Sequence, residues 1–435
     1  MFTIAVHCGL HHPSRERPLT VKPAVLNFAP YLLSALSFAS PLPSPIEDEV
    51  TTRAQVLDGW IDLIGDDLAR HWRQVNCAKS TFRLVEDPKD ATQKMIFCTG
   101  KPTGVMRTTE VHENFVCEFE WRHMTKGWGA NAGFFIWSDP MPALGVPFTR
   151  SVEVQVCNFD SNTDWYTRHG DVFPIHGSVM TTDPRYGRWA RGSRSLPLEF
   201  RAKGTGEWNH YRMTCIDGTI QLELNGELVS AGYHASPRKG YICLESEGGE
   251  VHFRAMRLLP LDPDPQGLRP EDTADIAEDD WEVTPLYNGL DLQAWQATPR
   301  EAWQLSDWTL VGEQAGSLRH TLPDEEWRLT IDFRYQKAAE GEGQAPPQNA
   351  LPVQIVSDES TRQWEYHCRA AGQWNRLEIT RIYASRRTQL LSEFNGSQTT
   401  IAQDIPGSNL AVVLSVEQCQ VEFANVLLST KRIRD

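Results

Sequence analysis

The chain is short of positive charge. Its 435 residues hold 42 Lys and Arg against 57 Asp and Glu, a formal net charge of −15, so the basic footprint a phosphate backbone requires is missing and nucleic acid is disfavoured as a partner. No apolar run reaches the ~18 residues of a membrane span, and no integral membrane span is expected. The nine cysteines never fall in C-x-x-C spacing, which argues against a zinc knuckle or a thioredoxin-like site. Cys117, Cys157, Cys215 and Cys243 sit in alternating apolar runs where buried inert thiols are common, so cysteine usage leaves the redox compartment open. Also missing are a G-x-S-x-G elbow, a P-loop and a Rossmann glycine fingerprint, which disfavours a serine triad or nucleotide chemistry.

What is present is a globular composition, 40% hydrophobic and 23% charged, over a length that implies two or three folding units. The fifteen tryptophans fit a β-sandwich core or, for some, sugar-stacking surface. Residues 1–50 read as an export signal or a disordered extension. Arg15, Arg17 and Lys22 precede an apolar stretch from Val25 to Phe38 and small residues at a cleavage site, and the run PLPSP follows as a linker. Export to the periplasm or outside the cell is the expectation, with a cytoplasmic protein as the alternative.

The remainder repeats itself. Leu63 to Leu68 with Trp72 answers to Leu286 to Leu292 with Trp295. GEWNHYRMT around Asn209 answers to GQWNRLEIT around Asn375, and each is followed by an Asn-Gly hairpin turn, Asn225-Gly226 and Asn395-Gly396. VHFRAMRLL with Phe253 then answers to VEFANVLLS with Phe423, at the same interval from the turn in both copies. Apolar residues alternate and long helical patterns are missing, which predicts an all-β fold of antiparallel sandwiches in two tandem copies, 55–262 and 281–432, joined by an acidic, proline-bearing linker, 263–280. The first copy is longer between its early strands and the W-N motif, and the extra segment includes SVEVQVCNFD and RHGDVFPIHGS. If one copy carries chemistry, it is the first, and a fragment ending near Pro263 is expected to suffice.

Strand alternation across Ser151–Val156 sets the valines on one face and Ser151, Glu153 and Gln155 on the other. A carboxylate and an amide side by side suit adjacent hydroxyls of a sugar; the plainer reading is an ordinary polar sheet face. The loop from His169 to Gly177 places His169, Asp171 and His176 among glycines. That set suits a proton relay with a histidine base oriented by Asp171, and a pH dependence near neutrality. A divalent metal stays open as well, although no ligand spacing diagnostic of an ion is present. Asn131 enters a strand through small residues and is placed to meet a ligand. Arg201 and Lys203 precede the W-N motif, as clamps for an oxyanion or as solvated cations.

The ordered set LIGDDLARHW, WGANAGFFIW, EVQV, HGDVFPIHG, GEWNHYR, the Asn-Gly hairpin and VHFRAMRLLPL resembles the 3-keto-disaccharide hydrolase domain family over about residues 57–260. That family is also described as 3-keto-glucoside 1,2-lyase and 3-keto-2-hydroxyglucal hydratase. The resemblance implies a concanavalin-A-like lectin/glucanase jelly roll, with copy two a shortened relative lacking the EVQ and HGD segments. It also implies a 3-keto-glycoside substrate. The C3 ketone acidifies the C2 hydrogen, a base removes it, the C1 substituent is expelled, and water adds back for net hydrolysis. Glu153, His169, Asp171 and His176 are of the right types for base and acid, and Asn131, Gln155, Arg201 and Lys203 for clamping, with individual roles unassigned. The competing expectation is a non-catalytic, carbohydrate-binding pair of lectin-like modules.

Overall fold

Where valine, isoleucine and aromatic residues alternate with polar ones, the chain forms strands that bury one face. The computed structural model describes residues 59–126, 131–157, 169–185, 193–261, 281–336, 350–384, 387–397, 401–406, 408–417 and 419–431. The expected export signal, the acidic linker and the Trp128-Gly129 start of the WGANAGFFIW motif lie outside them. Among the described residues the only helical turns are two short 3-10 segments, Leu68–Arg70 and Arg300–Ala302, and no helix is long and apolar enough to cross a membrane.

Four antiparallel sheets form two sandwiches. The large sheet of the first runs, neighbour to neighbour, Phe82–Asp87, Asp90–Cys98, Val251–Leu261, Asn114–His123, Asn209–Ile216, Thr219–Leu224, Glu227–Ser236 and Val179–Thr182, with Ile61–Asp62 added on Val251–Leu261. Its small sheet runs Trp72–Gln74, Gly104–Thr108, Tyr241–Ser246, Asn131–Ser138, Ser151–Cys157 and Val172–Ile175. The large sheet of the second runs Trp303–Ser306, Thr309–Gly312, Val421–Lys431, Trp327–Tyr335, Asn375–Ala384, Arg387–Phe394 and Ile401–Asp404, with Trp281–Pro285 added on Val421–Lys431. Its small sheet runs Gln296–Thr298, Gly316–Thr321, Ala350–Val356 and Thr361–Glu365, with Ala411–Val416 between the second and third of these. The two orders coincide strand for strand. Among the described residues the second sandwich lacks only the counterparts of Val172–Ile175 and Val179–Thr182.

The repeated motifs prove to be fastenings. Trp72 Nε1 donates to Leu63 O at 2.7 Å, and Trp295 Nε1 to Leu286 O at 2.7 Å. Asn209 Oδ1 accepts from Lys203 N at 2.7 Å and from Asn225 Nδ2 at 3.1 Å; Asn375 Oδ1 accepts from Arg369 N at 2.9 Å and from Asn395 Nδ2 at 3.1 Å. Both hairpin turns have positive φ at Asn and Gly (52° and 87°, 53° and 72°), as a two-residue turn between twisted strands requires.

Each sandwich has its own core. Val152, Val154 and Val156 point into the first, fully buried, each stabilising by roughly 1.5–3 kcal/mol relative to exposure. A one-residue slip would exchange them for Glu153 and Gln155. Burial of the valines thus fixes where Glu153 points.

Candidate active site

Glu153 projects from the outer face of the small sheet, away from that core. In register across the sheet lie Cys243, Phe135, Glu153 and Phe173, and Gly133 pairs with Gln155. Tyr241–Ser246 alternates in the same sense, so Glu245 shares this outer face. A Cβ built on Gly133 would stand 2.8 Å from Glu245 Oε2 and 3.1 Å from Glu153 Oε1. The missing side chain is therefore what lets two carboxylates converge.

The face is buried: Glu153 is 7% exposed, Gln155 3% and Glu245 2%. Burial is the main reason the Glu153 carboxyl is raised to about 8, with repulsion from Glu247 next; Arg194 pulls it back and Asp171 pushes it up again. Glu245 is raised well above the carboxylate range by burial and then by Glu153 and Glu247. Both carboxyls are raised, and the two titrate as one coupled pair. Glu247, also raised by burial, accepts a hydrogen bond from Asn131 Nδ2. Asn131 Oδ1, Gln155 Oε1 and Glu245 Oε2 are buried without a protein partner. Buried acceptors left unmatched cost free energy, and they are the groups that hydroxyl donors of a ligand would satisfy.

On the far side, fully buried Asp171 accepts from Arg194 Nη1 at 3.0 Å, and the guanidinium lies 3.4 Å from the Phe173 ring centroid. A cation is thus held on the edge of the acidic face. Among the described residues no three His, Cys, Asp or Glu side chains come together to hold a metal ion.

Of the residues expected at the site, Glu153, Gln155, Asn131 and Asp171 fall in this cluster. The histidines are placed otherwise. His169 is 4% exposed, stacks on Trp121 with centroids 5.7 Å apart, meets Phe200 edge-on, and is pushed down to about 3 by burial and then by His123. Its ring is packed among aromatic side chains and held neutral through the neutral range, which speaks against a titrating base there. His176 sits exposed at a turn with φ of 51°, stacked on Phe148, and partial desolvation lowers its pKa. Arg201 pairs with Glu199 at 2.9 Å, and Lys203 Nζ donates to Trp208 O at 2.9 Å. The latter contact is duplicated by Arg369 and Trp374 in the second sandwich, so the proposed clamp at Lys203 is a turn fastening, and neither cation is recorded against the carboxylates. Glu245, Glu247, Arg194 and Gly133 were missed. The alternation in YICLESEG carried the signal for the two glutamates, in the same form as SVEVQV.

The second sandwich has no such pair. Cys243 and Val413 stand at the same interval before Phe253 and Phe423, and the row Val413–Gln354–Gln363 takes the place of Cys243–Phe135–Glu153. Gln363 thus occupies the position of Glu153 and Ser415 that of Glu245.

Residues 59–259 match the family model described as the 3-keto-alpha-glucoside-1,2-lyase-like domain, the stretch on which the sequence resemblance rests. The first sandwich is thereby a carbohydrate-active domain. No curated protein matches the chain. Solved structures similar to it include a protein from Parabacteroides distasonis provisionally described as a glycosyl hydrolase (20% identity, 48% of this chain and 100% of that one, TM-score 0.35). Others are the β-glucanase of Bacillus licheniformis (11%, 47% and 99%, 0.31) and the carbohydrate binding module CBM66 of Bacillus subtilis (12%, 43% and 94%, 0.28). At these TM-scores the likenesses carry no argument about activity.

Proposed function

We propose that the first sandwich cleaves 3-keto-glycosides by elimination across C1–C2 and hydrates the resulting 3-keto-2-hydroxyglucal. The observation that carries this reading is the convergence over Gly133 of two buried carboxyls, Glu153 and Glu245, both with raised proton affinity. Two such groups side by side can serve as base and acid. Ionised Glu153 takes the C2 proton, and the C–H electron pair moves toward the C3 carbonyl oxygen. Arg194 supplies positive charge for that enolate. Collapse of the enolate forms the C1–C2 double bond and breaks the C1–O bond, and Glu245 gives its proton to the departing oxygen. Return of water to C1 and of a proton to C2 completes net hydrolysis. Asn131 and Gln155 accept from sugar hydroxyls. The match of residues 59–259 to a lyase-like family supports the substrate class.

A lectin needs no buried acid pair, so this arrangement favours catalysis in the first sandwich. The second, with Gln363 and Ser415 in place of the acids, is proposed as a divergent, non-catalytic copy of the same domain. The test is mass-spectrometric detection of aglycone release and of the glucal intermediate from a 3-keto-glucoside. Binding without turnover would favour the lectin. Export is a separate proposal, checked by the amino-terminal sequence of the protein recovered from its native cell.

A further inference from the structure

The second sandwich turns buried Asp332 and Asn425 and part-buried Arg376 onto a loop of the first. Residues 139–150, which join the Asn131–Ser138 and Ser151–Cys157 strands, are tied at their base by Asp139 and Arg150 (2.7 and 2.9 Å) and internally by Ala143 N to Phe148 O at 2.8 Å. Their tip rests on the second large sheet. Asp332, fully buried, accepts from Gly145 N at 2.9 Å, from Asn425 Nδ2 at 2.8 Å, and from Arg376 Nε at 2.7 Å and Nη2 at 2.8 Å. Arg376 Nη2 also donates to Pro142 O at 2.8 Å, and Asn425 Nδ2 reaches Ala143 O at 3.2 Å and Val146 O at 2.9 Å. The Trp374 ring lies against Gly145 so closely that a Cβ there would collide with it.

The corresponding positions of the first sandwich show that this is not a property of the fold. Strand register equates Asp332, Arg376 and Asn425 with Glu120, His210 and Ala255. There Glu120 is partly exposed and pairs with Arg254, and Ala255 is exposed. Only the second sandwich has turned this face into a cradle.

From the cradle the contacts lead to the acids. Phe148, at the end of the loop, packs edge-on against Phe135 at 6.1 Å, and Phe135 is the neighbour of Glu153 in register and touches the same Gly133 position. A second tie runs from Asp307, which accepts from Thr103 N at 2.8 Å and Thr103 Oγ1 at 2.6 Å and raises the proton affinity of Glu247.

We propose that the second sandwich is a brace: Asp332, Arg376 and Asn425 are positioning residues that hold the 139–150 loop closed against the Glu153–Glu245 face. The inference rests on that face being the active site. It makes the two sandwiches one working unit and predicts, against the expectation from the sequence, that a fragment ending near Pro263 does not suffice.

In the full-length protein, Asn425→Gly accepts the φ of 46° and removes three hydrogen bonds. With the fold intact by circular dichroism, the amides of Ala143, Leu144, Gly145, Val146 and Phe148 should exchange at least about tenfold faster. The Glu153 carboxyl, followed by isotope-edited infrared spectroscopy, should titrate at lower pH as water enters. Gly145→Ala, striking Trp374 from the loop side, should do the same, and Trp374→Ala in that background should restore part of the protection. Unchanged exchange and unchanged Glu153 titration in both folded single variants would overturn the brace. If Asn425→Gly fails to fold, Gly145→Ala decides by the same two readouts. Absence of turnover of a 3-keto-glucoside by wild type would instead sink the proposed reaction and leave these readouts standing.

Discussion

The two sandwiches keep the same fastenings and differ in what they bury. Both retain the tryptophan that closes the first turn, the asparagine that organises the W-N corner and the Asn-Gly hairpin, because each satisfies backbone groups the fold would otherwise leave unpaired. They part on the outer face of the small sheet, where Gln363 stands in the place of Glu153 and Ser415 in that of Glu245. Burying carboxylates is expensive unless they are paired or used. An amide and a hydroxyl at the same places relieve that cost without disturbing the sheet. On the proposed reading the comparison separates what the fold needs from what chemistry needs, and among the described residues the acid pair is found in the first sandwich.

The sharpest way to break the comparison is to give the first sandwich the residue of the second. Glu153→Gln should fold and lose at least ~100-fold in turnover of a 3-keto-glucoside, the low end for a positioned base. It should also change stability in a pH-dependent way. A carboxyl raised from its ordinary value to about 8 is bound to a proton in the folded state when the unfolded chain has lost it. Wild-type stability is thus fully present below the ordinary carboxylate range and is lost as pH rises toward 8. The Gln variant should lack the Glu153 share of that decline, keeping what Glu245 and Glu247 contribute, and its melting temperature, measured from pH 5 to 9, should gain on the wild type toward the alkaline end. Normal turnover would remove Glu153 from the site.

Next in size is Glu245→Gln. If Glu245 is the acid, the loss should be greatest for substrates with poor leaving groups and should shrink with an activated aryl aglycone, which needs no proton to depart. Equal losses on both substrates would assign Glu245 to binding. The alkaline limb of the pH profile, where Glu245 loses its proton, should vanish in this variant.

Much of this arrangement was legible beforehand. Alternation through Val152, Val154 and Val156 fixed the facing of Glu153, and the matched intervals around Asn225 and Asn395 exposed the doubling before any strand was seen. Glu245 was hidden because its contribution depends on strand register. Nothing local in YICLESEG says that Gly133, more than a hundred residues earlier, will lie beside it and leave room. The brace was hidden for the same reason, since Asp332 and Gly145 meet only through tertiary contact. A histidine beside glycine and aspartate reads as a relay, whereas tertiary packing stacks the His169 ring on Trp121, a contact no local pattern shows.

That correction yields the smallest expected effect and a clean discrimination. A histidine pushed down to about 3 is neutral from pH 5 upward, so it cannot supply the acidic limb of the activity profile. That limb should instead lie near 8 and belong to Glu153, since the base must be ionised and its proton leaves there. Replacing His169 by Gln removes a stacked ring and should lower stability by about 1–3 kcal/mol, in the range of core packing losses, while leaving the midpoint of the limb where it was. His176→Gln, at an exposed turn, should move neither. Both expectations are checked by measuring kcat/KM from pH 5 to 9 in the two variants beside the wild type and Glu153→Gln. A limb near 6.5 that disappears with either histidine would return the base to that loop. Loss of activity on chelation, restored by an added divalent ion, would return a metal to it. In either case the contrast between the sandwiches would rest on the strand Val172–Ile175 and the turn beside it rather than on the glutamate pair.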